Sequence, residues 1–178
     1  MLRLARKLSD CDAKYFGGWV IAGVEVKLSD KADCLENSVL LDKARRCVHE
    51  ARGYNSRGEL VQSLRLFLVL PSGKANLEPP LESQPVGELV YRHSFSKHEI
   101  DEYISATGDE NVIHKGPKPL VPGIYMLYAL QQWLGLRSLQ WKASFLSPVY
   151  VEQELKVYAG DKGFEGYVDQ RRVFVVKI

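Results

Sequence analysis

Cysteine is scarce in this chain of 178 residues: Cys11, Cys34 and Cys47 are too few and too irregularly spaced for a disulfide framework or a zinc site. Their odd number reads as free thiols in a reducing cytoplasm. Long apolar runs are lacking too. The longest, around Leu64–Leu70 and Ile124–Leu134, fall far short of a bilayer span. Met1-Leu2-Arg3-Leu4-Ala5-Arg6-Lys7 has no long uncharged core of the kind a signal peptide needs. Net charge is only +2, and no interleaving of aromatics with clustered Lys and Arg marks a nucleic-acid surface. No phosphate-cradling Gly-rich loop and no nucleophile elbow occur. What remains is a cytoplasmic protein with no expected metal, redox cofactor, membrane or nucleic-acid partner. Its 46% hydrophobic and 26% charged residues are ordinary globular composition, enough for one well-buried domain or two small ones.

Prolines divide the chain. Residues 71–88 hold Pro71, Pro79, Pro80 and Pro85 with Gly73 and Gly87, so no helix or central strand runs through them. We read them as a linker between an N-terminal half, 1–70, and a C-terminal half, 89–178. In the first half, Trp19–Leu28 alternates as a strand and Glu59–Leu70 is a second one. Asn55-Ser56-Arg57-Gly58 is a turn signal between apolar segments. Val39–Arg52 fits either a helix, through the stripe Leu40, Leu41, Ala44, Cys47, Val48 and Ala51, or one arm of a hairpin. The stripe tips the reading slightly toward helix.

The second half is more explicit. Leu89–Phe95 is a short strand, and Ser96-Lys97-His98-Glu99 is a capping box with Phe95 and Ile100 as a hydrophobic staple. A helix of about two and a half turns should follow and end near Gly108. Pro122 suits the first turn of another helix, apolar on nearly all sides from Ile124 to Leu134 and stopped at Gly135. Such a helix must be wrapped, most simply by a curved sheet. Strands for it lie at Leu139–Phe145, Val151–Ala159 and Gly166–Ile178, with turns at Ser147-Pro148 and Gly160-Asp161-Lys162-Gly163. One helix wrapped by an antiparallel sheet is an α+β, hotdog architecture.

Between those two helices lies Gly108-Asp109-Glu110-Asn111-Val112-Ile113-His114, followed nine residues after the His by Gly123. It offers a carboxylate, an imidazole and an orphan amide at a helix N-terminus. These are the groups needed to add or remove water beside a thioester: an acid and a base for the hydroxyl and the α-proton, and an N–H for the enolate-like oxygen. Asp109 alone is ordinary turn chemistry, and a lone loop histidine is usually a surface or satisfied one, as we read His49, His93 and His98. Asp109 and His114 are distinguished by each other's company and by Gly123. Asn111 reads as a loop-tying residue that orients Asp109. Tyr125 and Tyr128 read as core or tunnel lining, and with Trp133 they would limit chain length. Lys115, like Lys118, lies beside the site.

Gly108-Asp109-x-Asn111-x-x-His114 and Phe145-Leu146-Ser147-Pro148-Val149 resemble the hydratase motif and the F-x-x-P-V segment of MaoC-like, (R)-specific enoyl-thioester hydratases. The likeness covers residues 89–160. It departs at Val112, where that family usually has Pro, which bears on loop rigidity. It departs again in the short link His114-Lys115-Gly116-Pro117-Lys118-Pro119-Leu120-Val121-Pro122-Gly123, which is similar to the corresponding segment of FabZ-type 3-hydroxyacyl-carrier-protein dehydratases. The helix glutamate of that second family is replaced by Tyr128. The resemblance implies interconversion of (R)-3-hydroxyacyl and trans-2-enoyl thioesters, carried by coenzyme A or acyl carrier protein, with catalytic Asp109 and His114 and the Gly123 amide. Lys115 and Lys118 would then meet carrier phosphates. It also implies that 1–70 is a degenerate hotdog, giving a monomeric double hotdog, or else a homodimer. Two alternatives are a non-catalytic hotdog that binds acyl thioesters or a partner subunit, and a hotdog thioesterase, for which Ile124–Leu134 offers no acid.

Overall fold

A computed structural model describes residues 1–10, 15, 17–71 and 84–178. Most of the proposed linker, 72–83, and Cys11 lie outside the described residues; of the other cysteines, Cys34 is exposed and Cys47 buried. Nine strands are β1 (Val20–Leu28), β2 (Cys34–Lys43), β3 (Arg46–Tyr54), β4 (Leu60–Val69), β5 (Glu88–Ser94), β6 (Leu139–Phe145), β7 (Glu154–Gly160), β8 (Gly163–Val168) and β9 (Arg171–Lys177). The helices are α1 (Leu2–Leu8), α2 (Lys97–Thr107) and α3 (Gly123–Trp133). The strands form one antiparallel sheet in the order β2-β3-β4-β1-β6-β9-β8-β7-β5. The two halves of the chain therefore meet at the β1–β6 seam, where Val24 faces Ala143 and Val26 faces Trp141.

Period-two alternation sorts the residues of this seam onto two faces. On the helix-facing side, His49, Leu66, Val24 and Ala143 stand in register on four neighbouring strands, and Ala51, Leu64, Val26 and Trp141 form the next row. All eight are buried. On the other face Glu50, Arg65, Glu25 and Lys142 line up one residue over. Arg65 donates to Glu50 at 2.8 Å and to Glu25 at 3.1 Å, and Lys142 pairs with Glu25 at 2.9 Å. Glu50 is only 4% exposed, so its charge depends on its guanidinium partners.

Several expectations are met closely. Ser96 caps α2 in a full capping box with Glu99, and the helix ends on Gly108 at φ 71°, a left-handed cap that glycine adopts without strain. Phe95 and Ile100, the staple, are fully buried. Burial on its own would raise the Glu99 pKa, but hydrogen bonds from the Ser96 amide and hydroxyl and from His93 outweigh it and hold the carboxyl below its ordinary 4.5.

Other readings are corrected. Val39–Arg52 is the β2–β3 hairpin, not a helix; β2 is an exposed edge strand, and a register shift between Val39 and Leu41 breaks its alternation. Gly166–Ile178 is two strands, turned at Asp169 with φ 54° and no glycine or proline to announce it. The strand predicted from Val151 begins at Glu154, since Tyr150–Gln153 forms a turn closed by Gln153 N–H on the Tyr150 carbonyl. Pro122 is the N-cap of α3 and not part of its first turn. That helix buries only one face (Ile124, Met126, Leu127, Leu130, Gln131), while Trp133 is 68% exposed. Helix α1 was not foreseen; it lays Leu4, Ala5 and Leu8 into the core beside β3 and α2.

Two stability outcomes are expected. Arg65→Met should cost about 2–3 kcal/mol by stranding part of the buried Glu50 charge, against less than about 1 kcal/mol for the rim residue Lys142→Met, both read by urea unfolding. Because the folded-state pKa of Glu99 is depressed, its contribution is full above the ordinary carboxylate range and lost as pH falls through the folded value. The stability gap between the wild type and Glu99→Gln should therefore be widest near neutrality and shrink below about pH 4.5.

Candidate functional site

After Gly108 ends α2, the chain makes a loop and a single 3-10 turn, Val112–His114, before running to α3. Asn111 caps that turn, its Oδ1 accepting from the Ile113 amide at 3.4 Å. The same oxygen accepts from the Gly18 amide at 3.3 Å, and Nδ2 donates to the Trp19 carbonyl at 2.7 Å. The Asn111 amide in turn donates to Asp109 Oδ1 at 3.1 Å. The constraint a proline at position 112 would bring is supplied here by the Asn111 cap, and Val112 itself is exposed.

His114 is fixed from its other side. Its Nδ1 lies 2.7 Å from the Leu120 carbonyl, which can only accept, so Nδ1 carries a proton. In the neutral ring Nε2 is then an acceptor, and it faces Asp109 Oδ2 at 3.5 Å. The His114 side chain is 7% exposed and that of Asp109 22%, so the pair spans from solvent edge to interior. Leu120 is itself held by an antiparallel bridge to Tyr150, with Val121 N–H on the Val149 carbonyl and Val151 N–H on the Pro119 carbonyl. Val149–Val151 thus brace the strand-like stretch that orients the histidine.

Asp109, Asn111, His114 and Gly123 all line one cavity of about 400 Å³, a size suited to a small-molecule ligand. Gly123 opens α3, and proline at its N-cap offers no side-chain partner for the first-turn amides. The Phe145 ring lies over Gly123 so closely that a Cβ there would come within 2.7 Å of it. Tyr103, from α2, completes this end of the wall. Burial, reinforced by the Asp109 charge, drives its phenol pKa far above the ordinary 10, so it stays neutral.

Three sequence candidates are not brought in. Tyr125, Tyr128 and Lys115 are not among the lining residues. Tyr125 stacks on Phe95 and Tyr103, and burial first, then the charges of Glu99 and Glu102, raise its pKa. Lys115 pairs with Glu110. Trp133 lies across the surface, donating to the Val90 carbonyl at 2.7 Å. Conversely, sequence reasoning missed the contribution of the first half: Ala5, Leu8, Tyr15, Trp19, Val20–Ala22, His49, Leu66 and Leu68 line the same cavity. His49, read as a surface or satisfied histidine, is buried at 3% exposure in that wall. No helix among the described residues is long and apolar enough to cross a membrane.

No protein-family model matches the sequence, and no curated protein matches it. Solved structures do match in shape. HtdX of Mycobacterium tuberculosis is similar at a TM-score of 0.64 and 12% identity, over 90% of this chain and 76% of that one. A MaoC-like dehydratase matches at 0.63 and 12% identity, over 97% and 81% of the two chains. An acyl-ACP thioesterase from Bacteroides thetaiotaomicron matches at 0.56 and 11% identity, over 89% and 74%. With a helix seated on a single antiparallel sheet and structural neighbours among MaoC-like dehydratases and thioesterases, this chain is an α+β protein of the hotdog fold.

Proposed function

We propose that the chain is a hydratase/dehydratase that interconverts (R)-3-hydroxyacyl and trans-2-enoyl thioesters, carried by coenzyme A or acyl carrier protein. The observation that carries the reading is the Asp109–His114 pair. With Nδ1 protonated toward Leu120, a neutral Nε2 and an ionised Oδ2 are two acceptors facing each other at 3.5 Å. Only a shared proton or a donor between them relieves that opposition, and water brings two O–H donors. A water bound by both groups is oriented with its oxygen free for attack.

In hydration that oxygen bonds to the β-carbon, the C2=C3 π pair moves toward the thioester carbonyl, and the water's proton passes to the pair. The pair then returns a proton to the α-carbon, leaving the 3-hydroxyacyl thioester; dehydration is the reverse. Asp109 and His114 act as a unit, and the roles of acid and base alternate between them with direction. The enolate-like oxygen is received by the Gly123 amide, at the positive end of the eleven-residue helix α3. Asn111 keeps one Asp109 oxygen engaged so that the other faces His114. The first seventy residues act as a degenerate hotdog that completes the acyl cavity in the same chain, which supports a site contained in one monomer. Its location is proposed as cytoplasmic.

The test is hydration of crotonyl-CoA and longer trans-2-enoyl-CoAs, followed by loss of enoyl absorbance. His114→Ala and Asp109→Asn should each lower kcat by about 10²–10⁴-fold while leaving the thermal unfolding profile near that of the wild type. Release of free CoA thiol without loss of the enoyl group would instead mark a thioesterase, and binding without turnover a non-catalytic hotdog. Gly123→Ala should push the Phe145 ring aside and cost at least tenfold in kcat. Pairing it with Phe145→Leu should recover the unfolding temperature more than the rate, because the displaced ring is a packing fault and the displaced carbonyl a chemical one.

A further inference from the structure

Past the acid–base groups the cavity continues under the first half of the chain and stops at a helix. From Phe145 on β6, against Gly123, its wall passes Val20–Ala22 on and beside β1, then Leu66 and Leu68 on β4, and reaches β3 at His49. That is three strand spacings, about 14 Å along the sheet. Beyond β3 lies only β2, and none of its residues lines the cavity; α1 closes the space instead, through Ala5 and Leu8. Both side chains are buried, yet both border open volume. Leu4, on the same buried face of α1, does not line the cavity. Helix α1 is also a fixed stop. Arg3 donates to the Ala32 carbonyl at 2.9 Å, and the Asn37 side-chain amide donates to the Lys7 carbonyl at 3.1 Å. A Cβ at Gly108 would lie 3.3 Å from Arg6 Nη1 and 3.7 Å from Ser9 Cβ, so the C-terminal end of α1 rests on the turn that leads into Asp109. Packing and hydrogen bonds therefore set how far the stop lies from the acid–base pair.

We propose that Ala5 and Leu8 of α1 set the length of the acyl chain, so that the cavity selects straight-chain thioesters of medium length. The inference rests on the acyl-thioester reading of the Asp109–His114 end. At about 1.5 Å per carbon–carbon bond, laid in a zigzag, roughly ten to twelve carbons span the distance of about 14 Å from β6 to β3. The volume of about 400 Å³ lies toward the small end of ligand cavities, which agrees with a chain of that size and not with a much longer one. The lining between the two ends is largely Leu, Val, Ile and Ala. Each methylene moved from water onto such a lining raises affinity about three- to fourfold. A methylene that meets α1 gains nothing, because a packed interior resists even that much added volume. Of the two residues at the stop, Ala5 is the smaller. Its single methyl leaves to the substrate the space that a larger side chain would fill.

The experiment titrates S-alkyl pantetheine thioethers, from butyl to hexadecyl, by calorimetry. The pantetheine arm is common to coenzyme A and acyl carrier protein, and a thioether is not turned over. In the wild type, affinity should rise about three- to fourfold per added methylene as far as decyl or dodecyl and gain nothing beyond. Ala5→Leu should bring that break about three carbons earlier, the difference between the two side chains, and Leu8→Ala should move it later by about as much. Leu4→Ala removes as many buried atoms from the same helix but outside the cavity. It should lower the unfolding temperature as Leu8→Ala does and leave the break where the wild type has it. Affinity that ignores chain length or climbs unbroken through hexadecyl overturns the proposal. So does a break that neither Ala5→Leu nor Leu8→Ala moves, or one that Leu4→Ala moves as far as Leu8→Ala. If Ala5→Leu fails to fold, the wild-type break and the comparison of Leu8→Ala with Leu4→Ala still decide. Crotonyl-CoA, too short to reach α1, tests the reaction alone: no hydration with a movable break removes the hydratase and keeps the length selection, and hydration without a break removes the length selection alone.

Discussion

Asn111 joins the loop that carries Asp109 and His114 to the first half of the chain through a buried side chain. Its amide oxygen takes the Gly18 and Ile113 N–H groups, and its nitrogen gives to the Trp19 carbonyl. Only an amide can accept two donors at one end and donate at the other with no net charge; an aspartate there would face the Trp19 carbonyl lone pair to lone pair. Those backbone groups belong to the residues that lead into β1, the strand that forms the seam with β6. The loop that carries Asp109 and His114 has little regular structure of its own, so its geometry is borrowed from the sheet through this contact. Removing it leaves buried backbone groups without partners, at a cost of about 1–3 kcal/mol each where water cannot reach them.

From that anchor the electrostatics of the site follow. Asp109 has one oxygen held by the Asn111 amide and the other aimed at a histidine whose remaining nitrogen is tied to Leu120. Each group is held from its other side, so the 3.5 Å approach of Asp109 Oδ2 and His114 Nε2 is built in. Partial burial strengthens these interactions relative to solvent. The positive end of α3 at Gly123 adds a fixed donor field to the same cavity.

The second half of the chain was more legible than the first because its signals are local. A capping box, a staple, a left-handed glycine and a proline ahead of α3 are each read within a few residues, and all mark real boundaries. The resemblance of Asp109-x-Asn111-x-x-His114 to a known motif located the pair, and the fold brings its members together beside Gly123. What was illegible depends on partners far along the chain. The β2–β3 hairpin reads as a helix since β2, an exposed edge with a shifted register, shows no alternation, while Leu40, Ala44, Cys47 and Ala51 fall by chance at helical spacing. Asp169 reverses the chain without glycine or proline. Tyr125 packs against Phe95 and Tyr103 away from the cavity and Trp133 is exposed, and periodicity cannot tell which side of an apolar helix the cavity will take. The burial of His49 was not legible either: it comes from register with Leu66, Val24 and Ala143 on three other strands.

That register also explains how the sheet keeps its two faces distinct. Along the row from His49 to Ala143 every residue faces the helices, while along the row from Glu50 to Lys142 every residue carries charge on the other face. A one-residue slip of β3, β4 or β1 would turn Glu50, Arg65 or Glu25, respectively, toward the cavity side, so the outer charge ladder and the inner apolar wall enforce the same pairing. Asp109 and His114 come from a loop and a single 3-10 turn, and the wall they share from strands β3, β4, β1 and β6. The sheet and the loop that carries Asp109 and His114 are therefore joined at the backbone of Gly18 and Trp19 and share one cavity.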